Sequence, residues 1–220
     1  QYEESPYPRW VGIGLARYDP TVRGKDNKLH TIFGEIGLKI PKSDPNKILN
    51  PEILVAGCGT GQHAIKTASR FENCEVLAID LSLASLAYAR RRTNELGLTN
   101  IRYMQADLLE LNRLGCSYDI IECVGVLHHM DDPIEGWRVL ADILRPNGMM
   151  KIGLYSMLAR KNIQTYREII SSQEPNISPK RIKELRHKIL MAEDENLKEL
   201  LLHYDLYSLS TTRDLLFHVR

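Results

Sequence analysis

The sequence lacks most of the features that would fix a class at once. No apolar run approaches the roughly 18 residues that a membrane-spanning helix needs, and the amino terminus carries no signal-peptide pattern. Neither sign of charge dominates: 29 basic residues stand against 28 acidic ones, a formal net charge of +1, so no global field points to nucleic acid or to a membrane surface. The four cysteines, at 58, 74, 116 and 123, form no CxxC pair and no metal-ligand rhythm, and they read as the reduced thiols of a cytoplasmic protein. Internal repeats and low-complexity tracts are missing too. A chain of 220 residues has room for one α/β domain with its own core, plus about fifty residues of extra structure. Its first residue, Gln1, leads us to expect a longer protein around it.

What is present is organised around one stretch. The aliphatic run Ile53-Leu54-Val55-Ala56 leads into Gly57, Gly59 and Gly61 at alternate positions, and apolar residues at 64, 65 and 68 then keep a helical spacing. Strand, glycine turn and helix together let a ligand lie flat on the main chain before a helix amino terminus. The pattern predicts further strands over 75–80, 101–104, 118–124 and 149–155. Between them Ser82 caps a helix reaching Leu96, with Gly97 just beyond it. Asp132-Pro133 opens another helix running to about Leu144, and Arg145-Pro146-Asn147-Gly148 makes a turn. Strands alternating with helices define a doubly wound, mainly parallel, Rossmann-like sheet, which binds ligands at the carboxyl ends of its strands.

Flanking segments complete the layout. Residues 1–47 form a strap or lid, 48–157 the nucleotide-type domain and 158–220 a helical segment. In the strap, Tyr2, Tyr7, Arg9 and Trp10 are candidates to face a substrate, with packing of the aromatics on the core as the alternative. A mixed helical signal spans 29–38. Helical spacing recurs over 163–170, 179–191 and 197–204. The basic residues Lys180, Arg181, Lys183, Arg186, His187 and Lys188 are expected on a solvated face, with Ile182, Leu185 and Ile189 turned inward.

At the strand ends, Asp80 lies 23 residues after Gly57, where a carboxylate accepts both hydroxyls of a ribose. Asp107 follows the third strand and would accept from an adenine amino group, with Ala106 and Leu108 against the ring; a loop-capping role is the alternative. His128 and His129 close the fourth strand. His129 is the candidate base and His128 a candidate substrate contact, and the alternative is that both are satisfied by backbone. Cys123 reads as core. The crowded spacing of His128, His129, Asp131 and Asp132 argues against a metal, and none is expected.

Gly57-Cys58-Gly59-Thr60-Gly61, Asp80, Asp107, Tyr118-Asp119-Ile120-Ile121 and Leu144-Arg145-Pro146-Asn147-Gly148, in that order, resemble the motifs of class I S-adenosylmethionine-dependent methyltransferases. The resemblance implies S-adenosylmethionine as cofactor. It places Ala56, Gly57, Cys58, Gly59 and Gly61 at the methionine moiety, Asp80 and Leu81 at the ribose, and Ala106, Asp107 and Leu108 at the adenine. The backbone near Glu122 and Cys123 falls to the sulfonium side. Many relatives carry an acid two residues before the first glycine, where this chain has Val55, so the methionine ammonium is left to backbone carbonyls, water or Glu122. The family has two further strands that are not evident here. No motif for methylating a nucleic-acid base is present, and Val126-Leu127-His128-His129 resembles enzymes that methylate oxygen or carbon of small molecules. A small-molecule acceptor is therefore expected first and a protein side chain second. The opening and closing segments resemble methyltransferase domains fused to tetratricopeptide repeats, which implies a covalent link to such repeats. Two other readings stay open: a non-catalytic cofactor-binding or interaction module, and an NAD-dependent oxidoreductase, because Gly59 to Ala64 also fits GxGxxA.

Overall fold

Alternation along the strands builds the fold. In a computed structural model of the chain, Trp10, residues 50–71, 73–156, 178–192 and 209–217, and positions 158, 161, 163, 167, 200, 201 and 206 are described. They fall into two compact units, divided after Gly153. The expected lid residues Tyr2, Tyr7 and Arg9, the 29–38 signal and most of the 163–170 and 197–204 stretches lie outside the described residues.

The first unit runs β1 (Glu52–Ala56), α1 (Gln62–Arg70), β2 (Glu75–Asp80), α2 (Leu83–Glu95), β3 (Ile101–Gln105), a 3-10 segment (Leu108–Leu114), β4 (Tyr118–Val124), a 3-10 turn (Leu127–His129), α3 (Pro133–Asp142) and β5 (Leu144–Gly153). All four strand pairings are parallel, in the order β3-β2-β1-β4-β5. The order reverses between β1 and β4, which is the switch point where open α/β sheets bind ligands. Side chains alternate accordingly. Ile53, Val55, Val76, Ala78 and Ile120 meet Ala64, Ile65, Ala68 and Leu86 of α1 and α2 on one face. Leu54, Ala56, Ile79, Ile121 and Cys123 meet Leu108, Leu111 and Leu140 on the other. Each fully buried aliphatic side chain contributes about 1.5–3 kcal/mol.

Caps fix the helix starts. Ser82 Oγ accepts from the Ser85 amide (3.1 Å), and Asp132 accepts from the amides of Ile134 (2.8 Å) and Glu135 (3.2 Å) ahead of Pro133 at the first turn. Arg145-Pro146-Asn147-Gly148 differs from the expected turn. It lies inside β5 as an irregularity where the register jumps from Tyr118↔Leu144 to Ile120↔Met149, with Asn147 at φ 62°. Proline is tolerated there because β5 pairs only with β4 among the described residues. Arg145 donates to Asp119 (2.8 Å), to Ser117 (3.2 Å) and to Glu52, and the Glu52 amide donates to Asp119 (2.9 Å). Two of the ordered motifs thus staple the amino ends of β1, β4 and β5, at the edge opposite the strand ends that face a ligand.

In the second unit, α4 (Pro179–Leu190) starts at Ser178, whose hydroxyl accepts from the Arg181 amide (3.2 Å). Ile182 and Ile189 are buried, and Lys180, Lys183, His187 and Lys188 are exposed. With α5 (Leu209–Phe217), the core gathers Ile163, Ile189, Leu200, Leu206, Leu215 and Leu216. Arg186 Nε donates to the Leu206 carbonyl (2.6 Å) and Arg167 Nε to that of Leu215 (2.7 Å). Among the described residues no helix is long and apolar enough to cross a membrane.

Candidate functional site

After β1 the chain passes over the strand ends in a tight glycine loop. Gly57, Gly59 and Gly61 hold φ of 70°, 53° and 84°, the left-handed region that L side chains disfavour. A Cβ at position 57 would come within 2.2 Å of Val126 Cγ2. The Cys58 amide donates to the Ile79 carbonyl (2.8 Å) and the Gly61 amide to that of Cys58 (2.9 Å), which ties the loop to β2. Burial first, and then the charge of Asp80, push the Cys58 thiol well up, so it is no nucleophile at neutral pH.

Asp80 ends β2. Its Oδ2 accepts from the Gly59 amide (2.7 Å) and its Oδ1 from the Ser82 amide (2.9 Å). Each oxygen keeps a second acceptor site, so the carboxylate is rigidly presented and still able to take two hydroxyl donors. Leu81, next in the chain, is 65% exposed; an apolar side chain at a strand end, beside a pinned carboxylate, provides a surface for a ligand ring. Asp107 is exposed at the end of β3, and its Oδ1 caps the Leu109 amide (2.9 Å). Capping leaves Oδ2 without a partner among the described residues. Ala106 is partly buried and its amide donates to the Asp80 carbonyl (3.3 Å), while Leu108 is buried beneath. A flat backbone cradle, a carboxylate for paired hydroxyls, an apolar patch and a second acceptor fit a nucleoside-bearing cofactor.

Glu122 and Cys123, near the end of β4, have fully buried side chains. Cys123 points into the face beside α3, and burial pushes its thiol up to about 12. Glu122 points the other way, toward α1, and is register partner to Val55. A carboxylate on an apolar sheet face needs partners, and α1 supplies three from one side: His63 Nε2 at 2.7 Å, the Thr67 hydroxyl, and Arg70 at 3.3 Å. In the sequence, the signal for His63 is its place two residues after the last loop glycine.

Burial alone would raise the Glu122 carboxyl, but His63, Thr67 and Arg70 outweigh it and hold it at about 2, against an ordinary 4.5. A carboxyl held below its unfolded value stabilises the fold above that value, and the contribution is lost as pH falls from 4.5 toward about 2. Glu122→Gln is therefore expected to lower stability by about 3 kcal/mol at neutral pH. Urea unfolding across a pH series should show the gap to the unaltered chain closing in acid. A gap that does not change with pH would show that the charge of Glu122 plays no part.

Beyond β4, Gly125 (φ 77°) turns the chain and Val126 comes back over Gly57. His128 and His129 follow on the 3-10 turn, both partly buried, with ring centroids 4.4 Å apart. Trp10 lies on the glycine loop. Its indole N–H donates to Thr60 Oγ1 (3.0 Å), its ring meets Tyr88 edge-on at 5.7 Å, and the Arg92 guanidinium covers it at 4.9 Å.

Fold and loop define a nucleotide-type α/β domain with its site at the switch point. Residues 53–148 match a family model described as a methyltransferase domain. An uncharacterized protein of Synechococcus sp. is 38% identical over 122 residues, covering 55% of this chain and 29% of its own length. The ubiquinone biosynthesis O-methyltransferase of Actinobacillus pleuropneumoniae is 26% identical over 177 residues, 78% of this chain and 71% of that protein. The structure of PKMT2 from Rickettsia typhi in complex with AdoHcy aligns with a TM-score of 0.56 at 20% identity, covering 70% of this chain and 32% of that one. The chain therefore spans under a third of the length of the Synechococcus relative and about a third of the rickettsial chain. Residues 53–148, under half of the chain, match that methyltransferase model, and the five-stranded parallel sheet with its flanking helices has the Rossmann-like fold of class I methyltransferases; the cofactor that the match indicates is S-adenosylmethionine.

Proposed function

We propose that the domain transfers the methyl group of S-adenosylmethionine to the oxygen of a small-molecule acceptor. The observation that carries this reading is the Asp80 carboxylate pinned between Gly59 and Ser82, beside three loop glycines in the left-handed region. The relative whose name includes O-methyltransferase supports oxygen as the acceptor atom, and the AdoHcy held by the rickettsial protein supports the cofactor. When bound, the cofactor supplies a methyl group on a sulfonium sulfur, which keeps the electron pair of the broken bond. The part of the chain is to hold both partners in line and to take up the proton that a hydroxyl acceptor must lose. His129, on the turn after β4, is the side chain proposed for that proton. A protein side chain is the second acceptor class. We extend the proposal to a cytoplasmic protein in which this domain is joined to tetratricopeptide repeats, on the strength of the resemblance of its outer segments and of its free cysteines.

Calorimetric titration with S-adenosylmethionine, S-adenosylhomocysteine and NAD tests the core of this reading. Micromolar binding of the first two and none of NAD is the expected result, and radiolabelled methyl transfer to a panel of phenols and catechols then tests the acceptor. Binding of NAD alone would move the domain to the oxidoreductases. Cofactor binding without transfer to any acceptor would favour a non-catalytic module.

A further inference from the structure

The buried cluster around Glu122 reaches the surface through His63, at the start of α1 where the glycine loop ends. His63 stands in the first turn of α1, two residues past Gly61, and its side chain is 31% exposed while Glu122 is fully buried. Glu122 occupies one ring nitrogen, Nε2, at 2.7 Å. A carboxylate only accepts, so in the neutral ring the proton sits on Nε2 and Nδ1 carries the lone pair. Among the described residues Nδ1 has no partner. The pair stands at the carboxyl ends of β1 and β4, on either side of the switch point, and beside Val55. Val55 brings no acceptor of its own to this edge. With Arg70 opposing the charge of Glu122 at 3.3 Å, the cluster is close to neutral while His63 is neutral. What it then offers a ligand is a fixed hydrogen-bond acceptor.

We infer that His63, through Nδ1, accepts a hydrogen bond from the ammonium group of the amino-acid end of the cofactor, and that Glu122 is the positioning residue that fixes the ring and its tautomer. The inference rests on the cofactor reading above and deepens it. The glycine loop and Asp80 take the nucleoside, and α1, which begins where the loop ends, takes the charged end. Among the described residues Glu122 is the charged group bonded to His63, and Arg70 is paired with Glu122 in turn. Asp80 and Asp107 face the nucleoside end and act on every ligand that carries it.

S-adenosylhomocysteine carries the amino-acid end and 5′-methylthioadenosine lacks it, which makes them a matched pair of probes. His63→Ala is expected to weaken S-adenosylhomocysteine by more than tenfold in calorimetry and to leave methylthioadenosine within twofold. Glu122→Gln, read at neutral pH on folded protein, is expected to weaken the first by a smaller factor and again spare the second. Equal losses for both probes would reduce the cluster to a structural support of the loop and overturn the inference. Unchanged affinity for S-adenosylhomocysteine in His63→Ala would overturn it as well. If the unaltered chain bound methylthioadenosine or S-adenosylhomocysteine in neither case, the cofactor reading itself would fail, and the inference with it.

Discussion

Asp80→Ala is expected to weaken S-adenosylmethionine and S-adenosylhomocysteine about 100-fold. Two hydrogen bonds to a charged acceptor are worth about 1.5–3 kcal/mol each, and a loss near 3 kcal/mol is roughly two decades of affinity. The same carboxylate also receives the Gly59 and Ser82 amides, so its removal frees the loop as well as the ligand hydroxyls. Asp80→Asn has one oxygen and one amide nitrogen facing two N–H donors. It keeps one of the two backbone bonds, and about a tenfold loss is expected. Calorimetry on all three proteins decides the matter: an affinity within threefold of the original for Asp80→Ala would remove Asp80 from the site.

Gly61→Ala is expected to lower stability by about 2–5 kcal/mol. Part is backbone: at φ 84° an L residue costs about 1–2 kcal/mol. The rest is space, because the new Cβ would lie 2.6 Å from Ala89 Cβ and 3.2 Å from Ala89 Cα on α2, and overpacking costs about 1–3 kcal/mol. Gly97→Ala provides the control. Its φ is 68°, yet nothing lies within 4 Å of the added methyl, so only the backbone part, about 1–2 kcal/mol, is expected. Urea denaturation of the pair separates the two contributions. Equal losses would mean that α2 does not pack against the loop as closely as these distances imply.

The parallel sheet was legible because its signals are local. Short apolar runs within 53–56, 75–80 and 118–124, and caps at Ser82 and Asp132, are properties of short windows, and the structure has strands and helices at those places. The glycine loop and Asp80 were legible as a spacing. The interactions of Glu122 were not, because they depend on β4 lying beside β1, which brings residues 59 positions apart to 2.7 Å. Arg145 shows the same limit in another way. Its motif is part of the resemblance to methyltransferases, but its bonds to Glu52 and Asp119 sit at the amino edge of the sheet, and nothing in the local sequence says which edge a basic residue will serve. The irregularity inside β5 was hidden because Pro146 and Gly148 carry the composition of a turn, whereas an edge strand accommodates both.

The place of Trp10 gives the protein its own optical reporter. Only two tryptophans are present. Trp137 is 40% exposed on α3, whereas Trp10 shares a hydrogen bond with Thr60 in the middle of the glycine loop and lies under the Arg92 guanidinium. Indole emission responds to both kinds of neighbour. In a Trp137→Phe background, the remaining fluorescence is expected to read the state of the five-residue turn 57–61, and a change in emission on adding S-adenosylhomocysteine would make arrival and departure observable in real time, without a label.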